Sequence, residues 1–363
     1  MPTRRVTYRV LAGIVVLALG ITGAASAATA SSAYSPTGQL ESARGANASA
    51  TATVVAARLA TASTGVSPAV FVASSSKNDL SSVVKLYSAR TGRVLAQLAS
   101  FGDNFTNNGL ALSPDGRYVY VTLIGKTDLY IEKISTSTRR RTFLAYGDQP
   151  AVSPNGRYLA YSTGLDDDYL TVRQLASGRT TTFDLSAAIG KRASLLGGQI
   201  AWLGNGTEIA ALPEPDLTPT ASSNSPRAAA TGACRWAGDK MCLIVVDIAS
   251  ATTSSRVFLL PGSPGDIGQL GTYGPSKDAL SLVVGTPDRT LVERVTISHK
   301  AAREQVLTSL SSVLVMAVNP SADGVLYLVG HAPPALWAAQ IRRGRLVSAH
   351  RIIPNSRLES VAW

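Results

Sequence analysis

Histidine occurs three times in 363 residues, cysteine twice and tryptophan four times. No G-x-S-x-G elbow, H-E-x-x-H pair or zinc-ligand quartet is written anywhere, which removes the local signatures of a serine hydrolase, a zinc peptidase and a structural zinc site. His299, His331 and His350 fall at predicted turns or strand ends and read as solvated or packing residues. Charge is also sparse. Charged side chains make up 16% of the chain against roughly a quarter in an average soluble domain, whereas 45% are hydrophobic, so there is ample material to bury. Large apolar residues are nearly missing from residues 28–67, outside a short TVVAARL. That Ala/Ser/Thr-rich stretch reads as a flexible spacer, because it cannot bury enough surface to offset the entropy of ordering its backbone.

Residues 1–27 read as an export signal: Arg4, Arg5 and Arg9 form a basic n-region, Val10 to Gly23 an apolar stretch, and Ala25-Ser26-Ala27 a small-residue cleavage site. The apolar run is shorter than the roughly 20 residues that span a bilayer comfortably, which favours cleavage near Ala28 over an uncleaved anchor. No cysteine follows it, so a lipoprotein is not expected. The location implied is secreted, extracellular or cell-surface. Any membrane contact is expected only through an uncleaved signal. In that setting Cys234 and Cys242 favour a disulfide, which in the chain-entropy model stabilises by about 2.5 kcal/mol; two thiols with no nearby histidine make half a zinc site.

Lysine and arginine total 34 against 23 acids, a formal charge of +11, and losing the three signal arginines leaves the chain basic. Such an excess suits an anionic neighbour such as a cell-wall polymer, or simply keeps the surface away from neutrality. Arg139-Arg140-Arg141 and Arg342, Arg343 and Arg345 fall at predicted hairpin tips without the interleaved aromatics of a nucleic-acid platform, and nucleic acid is not expected as a partner.

The chain repeats itself. LALSPDGRYVYVTL (Leu110–Leu123) returns as PAVSPNGRYLAYST (Pro150–Thr163), a spacing of about 40 residues that marks a stacked supersecondary unit. In Ser113-Pro114-Asp115-Gly116, Pro suits the second turn position, Asp the third and Gly the left-handed one that closes a hairpin. The strand after it, RYVYVTL, is apolar on both faces, as suits a sheet packed between two others. DLYIEKI and RTFLAY then complete four antiparallel strands, one blade of a β-propeller. Similar units follow through QPAVSPNGRYLAYS, QIAWLGNGTEIAAL, QLGTYGPSKDALSLVV and LVMAVNPSADGVLYLVG, with a Pro/Ser/Thr/Ala-rich insertion over residues 213–232. PAVFVASS (Pro68–Ser75) looks like a second strand with no first. The chain ends in LESVAW, where Trp363 takes the slot that Trp202 holds before its turn. The predicted fold is therefore all-β: a six-bladed propeller over residues 68–363, closed by the C-terminal strand so that no sheet edge stays open. The weaker repeats one, five and six leave the count open between six and seven.

These repeats resemble the TolB-type, WD40-like (PD40-type) propeller family of secreted bacterial proteins, in which Ser-Pro-Asp-Gly precedes an Ile/Leu-Ala-Phe/Tyr strand. Ser153, Pro154, Asn155, Gly156, Leu159, Ala160 and Tyr161 stand in the matching slots. Arg117–Thr122, RYVYVT, also resembles the surface-layer and lactonase-like propellers. The resemblance spans residues 68–363 and implies architecture; fold does not carry activity.

Candidate chemistry is thin. Asp166, Asp167 and Asp168 form either a Ca²⁺-binding carboxylate cluster or a solvated acidic hairpin tip. SADGVLYL resembles the sialidase Asp box but lacks its Thr-Trp ending. Trp202 and Trp363 either line a central funnel or fill gaps between blades, and Trp236, inside the disulfide loop, either offers a contact on a binding face or stabilises a hairpin. Propeller peptidases carry a separate α/β-hydrolase domain, for which no room is expected in this chain. No catalytic residue or cofactor is assigned. The function expected is a non-enzymatic scaffold, acting as a monomer, that binds a protein or an anionic cell-wall polymer. The alternatives are a lactonase-like enzyme with a metal in the central channel, and a structural envelope protein whose repeats mediate assembly.

Overall fold

The turn chemistry of the repeat is fully realised in the computed structural model. The Gly116 amide donates to the Ser113 carbonyl at 2.8 Å, while Ser113 Oγ donates to Asp115 Oδ1 at 2.7 Å and accepts from the Tyr118 amide at 2.9 Å. Ser153–Gly156 repeats the same bonds with Asn155 in the acid's place, at 2.8, 2.8 and 2.9 Å. Gly116 and Gly156 have φ of 68° and 67°, a region that strains any L side chain. The structure describes residues 70–363 apart from 79–80, 103–105, 125–128, 164–167, 190–192, 216–233, 235–239, 250–254, 262–266, 274–275, 286–288, 299, 312, 320–323, 330–334, 344 and 354–357. The predicted signal (1–27) and spacer (28–67) lie outside the described residues, as does most of the 213–232 insertion.

Six four-stranded antiparallel sheets follow one another, which settles the count at six. Blade two is β4 (Thr106–Leu112), β5 (Tyr118–Ile124), β6 (Leu129–Ser135) and β7 (Arg141–Tyr146). Blade three is β8 (Asp148–Val152), β9 (Tyr158–Thr163), β10 (Tyr169–Gln174) and β11 (Thr180–Asp184). Blade four is β12 (Ala193–Trp202), β13 (Glu208–Pro215), β14 (Lys240–Asp247) and β15 (Ser255–Pro261). Blade five is β16 (Ile267–Thr272), β17 (Ala279–Gly285), β18 (Arg289–Ile297) and β19 (Ala302–Ser311). Blade six is β20 (Val313–Val318), β21 (Gly324–Val329), β22 (Ala335–Arg342) and β23 (Arg345–Ile353).

Blade one joins both ends of this array. β1 (Val70–Asn78), β2 (Ser81–Ser88) and β3 (Val94–Phe101) accept β24 (Leu358–Ala362) as their innermost strand, antiparallel to β1, with Val72 opposite Ala362 and Ala73 opposite Val361. Around the axis β4, β8, β12, β16, β20 and β24 each touch the next, so the circle is complete.

Each sheet is packed on both faces. In β5 the side chains of Val119, Val121 and Leu123 join a cluster with Val84, Leu86 and Phe101 of blade one, while Tyr120 packs with Leu159 and Tyr161 of blade three. Full burial of one such aliphatic side chain contributes about 1.5–3 kcal/mol, which is why these strands lack the alternation of a half-wet sheet.

Two local features depart from the sequence reading. Pro213–Pro215, assigned to the insertion, continue β13, where Glu214 and Pro215 pair with Ser194 and Ala193 of β12; the β14 ladder stops at Ala211, so no donor is missed on that side. A single helical turn, α1 (Ser186–Ile189), follows β11. Asp184 Oδ1 accepts from the Ser186 amide and hydroxyl at 2.9 and 2.5 Å, and these bonds hold its carboxyl below the usual range.

Removing Leu358–Trp363 strips β1 of its partner and opens the ring. A chain ending at residue 357 is expected to melt more than about 10 °C below the full chain or to lose its cooperative transition in thermal unfolding followed by circular dichroism. Identical melting curves would show that β24 does not hold the ring shut.

Candidate functional site

Six strands meeting at one axis leave little room for side chains, and the sequence supplies small ones. Ala111, Ala151, Ala201, Gly271, Ala317 and Ala362 occupy equivalent slots, one on each innermost strand. The residue after each is Leu112, Val152, Trp202, Thr272, Val318 or Trp363, which bears out the equivalence read between the two tryptophans. Within this ring lies an axial pocket of about 370 Å³ that opens among the Ser-Pro-Asp-Gly turns. Apolar and small neutral residues dominate its wall. Asp115 is the one acidic side chain among its described lining residues, and its Oδ1 already accepts from Ser113 Oγ and from the Arg117 amide at 3.0 Å.

The pocket shares Ser113, Pro114, Asp115 and Pro154 with a larger cleft of about 1060 Å³ between blades two and three. Arg117, Lys133 and Arg173 line this cleft. Lys133 Nζ stands 5.0 Å from the centre of the Tyr118 ring, a cation–π contact that covers the aromatic face. Arg173 Nη1 donates to the Leu144 carbonyl at 3.4 Å. Burial pushes the neighbouring Tyr161 hydroxyl upward, and Arg173 partly opposes the shift, so this phenol stays protonated.

The residues singled out from sequence are dispersed. Trp202 is fully buried between blades three and four, with Nε1 donating to the Ala151 carbonyl at 2.9 Å and its ring 6.0 Å from Tyr158. Trp363 is half-buried, lines the axial pocket and contacts blade six near Gly324. Cys234 and Cys242 form a disulfide with Cα atoms 5.6 Å apart; the Cys234 amide donates to Ala188 in α1 at 3.0 Å, so the bridge ties α1 to β14. Of the aspartate cluster Asp168 is half-buried ahead of β10, while Asp166 and Asp167 lie outside the described residues, as do Trp236, His299 and His331. His350 sits inside β23, opposite Ala338, rather than at a strand end.

One acidic pair was not anticipated. Glu293 lies opposite Leu282, and Glu304 opposite Val295. Leu282 and Val295 pack against Val245 and Phe258 of blade four, so both carboxyls face that blade interface. Burial raises Glu293, and burial followed by the Glu293 charge pushes Glu304 up to about 7. Glu304 Oε1 has no hydrogen-bond partner among the described residues.

Comparison with known proteins agrees with this architecture. TolB from Acinetobacter baumannii superposes with a TM-score of 0.56 at 13% identity, covering 81% of this chain and 66% of that one. A chain of a nidogen/laminin complex superposes with a TM-score of 0.52 at 12% identity, covering 81% of this chain and 97% of that one. At these identities the likeness is one of fold alone: a TolB-like β-propeller. No protein-family model and no curated protein matches the chain.

Glu304 makes the stability of the ring depend on pH. In the folded protein it is protonated up to about pH 7, but in the unfolded chain only up to 4.5, so its own contribution to stability is full below 4.5 and is withdrawn as pH rises to 7. Glu304→Gln is expected to melt above the parent at pH 8 and with it at pH 4. An equal offset at both values would show that the carboxyl's ionisation is not the cause.

Proposed function

We propose that the protein is a secreted or cell-surface scaffold that binds a partner at the axial mouth without chemically transforming it. The observation that carries this reading is the wall of the axial pocket, built from six small residues and their apolar neighbours. A pocket of this kind desolvates a ligand and orients it by a few polar groups at the rim. A lactonase-like mechanism needs acidic side chains converging on a metal, and among the described lining residues Asp115 is the one acidic side chain, engaged by its own turn. The disulfide supports an oxidising, exported setting.

The test is retention of a partner from a cell-wall fraction by the immobilised full chain, compared with Ala151→Trp, which adds bulk at one of the six small residues that wall the axial pocket. The parent is expected to retain a partner that the variant loses. Failure of both to retain anything, combined with turnover of a lactone or glycoside by the purified parent, would reject the scaffold. Concentration-dependent self-association in place of partner capture would favour a structural envelope role.

A further inference from the structure

The turns after the innermost strands and the hairpins joining the third and fourth strands lie at the same end of the ring, tied by backbone hydrogen bonds. Thr136 N donates to Arg117 O at 2.9 Å, Leu175 N to Arg157 O at 2.8 Å, and Ile248 N to Thr207 O at 2.9 Å. On this face blades one to three share one hairpin form. The amides of Ser88, Ser135 and Gln174 donate to the carbonyls of Arg93, Arg140 and Arg179 at 3.0, 3.0 and 2.8 Å, so an arginine closes the hairpin each time. All three are exposed, and none forms an ion pair among the described residues.

The position before each is left-handed. Blades one and three place Gly92 and Gly178 there, with φ of 65° and 74°, but blade two places Arg139 at 60°. Arg343, at 51°, is also left-handed, at the first position of the two-residue turn between Arg342 and Arg345 in blade six. An L side chain at such a φ is strained relative to glycine, so twice the chain holds an exposed cation where glycine would fit more easily. Strain of this kind collects where a side chain has a function. Blade four breaks the pattern, carrying Asp247 beside its hairpin.

The cations continue inward. Arg117, Lys133 and Arg173 line the cleft between blades two and three, where Asp115 is the one acidic side chain among the described lining residues and lies 3.8 Å from Arg117 Nε. We propose that this face binds a linear polymer bearing phosphate groups, which runs from the rim arginines into the cleft. The proposal rests on the scaffold reading and names the chemistry of its ligand. Guanidinium groups pair with phosphate oxygens in bidentate fashion. A flexible chain enters a cleft that a flat bilayer cannot, and the rim hairpins carry Thr91, Thr138 and Ser177 where membrane insertion would call for apolar wedges. Of the three aromatics that line the cleft, Tyr118 is covered by Lys133 and Tyr120 is buried; Phe143 is exposed, so a single-stranded DNA arm separates base stacking from phosphate binding.

The experiment is a fluorescence-anisotropy titration of end-labelled long-chain inorganic polyphosphate with the full chain. Affinity is expected to fall with salt at a log–log slope of about −0.7 per phosphate contact. The triple variant Arg93→Gln, Arg140→Gln, Arg179→Gln is expected to bind at least about tenfold more weakly at about 0.1 M salt, and Arg173→Gln several-fold more weakly. Arg351→Gln, exposed toward the other end of β23, is expected to match the parent. Melting temperatures confirm folding, and the parent's own salt slope remains a test if a variant fails to fold. An unchanged triple variant, equal affinity for single-stranded DNA, or equal affinity for phosphatidylglycerol vesicles would overturn the proposal. Failure to bind polyphosphate alongside specific partner retention at the axial pocket would reject the polymer while leaving the scaffold standing.

Discussion

Pairing of β24 with β1 is the constraint on which the other packing depends. Every blade in the middle of the chain is made from consecutive strands, but blade one is assembled from residues nearly 300 positions apart, Val72 against Ala362 and Ala73 against Val361. Without that ladder β1 is an open edge, and the contact between blades six and one loses Leu358, Val361 and Trp363. The closing strand also completes the axial wall, since Val361, Ala362 and Trp363 all contribute to it. Stability and site therefore share one element.

Closure of six blades dictates what the centre can be. Innermost strands that touch one another permit only alanine or glycine where they converge, while longer side chains at the next slot are sent between blades, as Trp202 is. The axis becomes narrow and apolar, and polar chemistry is displaced to the turns that ring its mouth. The hairpins behind those turns are largely exposed, so packing does not fix their side chains. Arginines at Arg93, Arg140 and Arg179 use that freedom on adjoining blades without disturbing the core, because their backbone bonds are the same whichever side chain closes the turn.

Much of this was legible in the sequence, for physical reasons. Ser113–Gly116 and Ser153–Gly156 reveal their hairpins because the turn needs those residue types, and the missing partner of β1 could be matched to the orphan segment ending at Trp363. The two cysteines announced their bridge. The ring of small residues was harder to see: in blades five and six Gly271 and Ala317 are not followed by an intact Ser-Pro-Asp-Gly marker, so their register emerges only once the strands are paired. The Glu293–Glu304 pair was hidden for the same reason, since a β-bulge between Val292 and Glu293 shifts the neighbouring register. Arg139 concealed the hairpin repeat by standing where Gly92 and Gly178 stand elsewhere. Pro213–Pro215 looked like the start of a loop because proline weakens strand signals, although an unpaired side tolerates it.

Native-state hydrogen exchange followed by mass spectrometry tests the closure most directly. If the terminal strand seals the ring, the amides of residues 358–362 and of Val72–Ser74 exchange only by the same global opening as the central strands of blades two to four. Exchange of residues 358–362 on the timescale of a frayed terminus, with blades two to four still protected, would contradict the account.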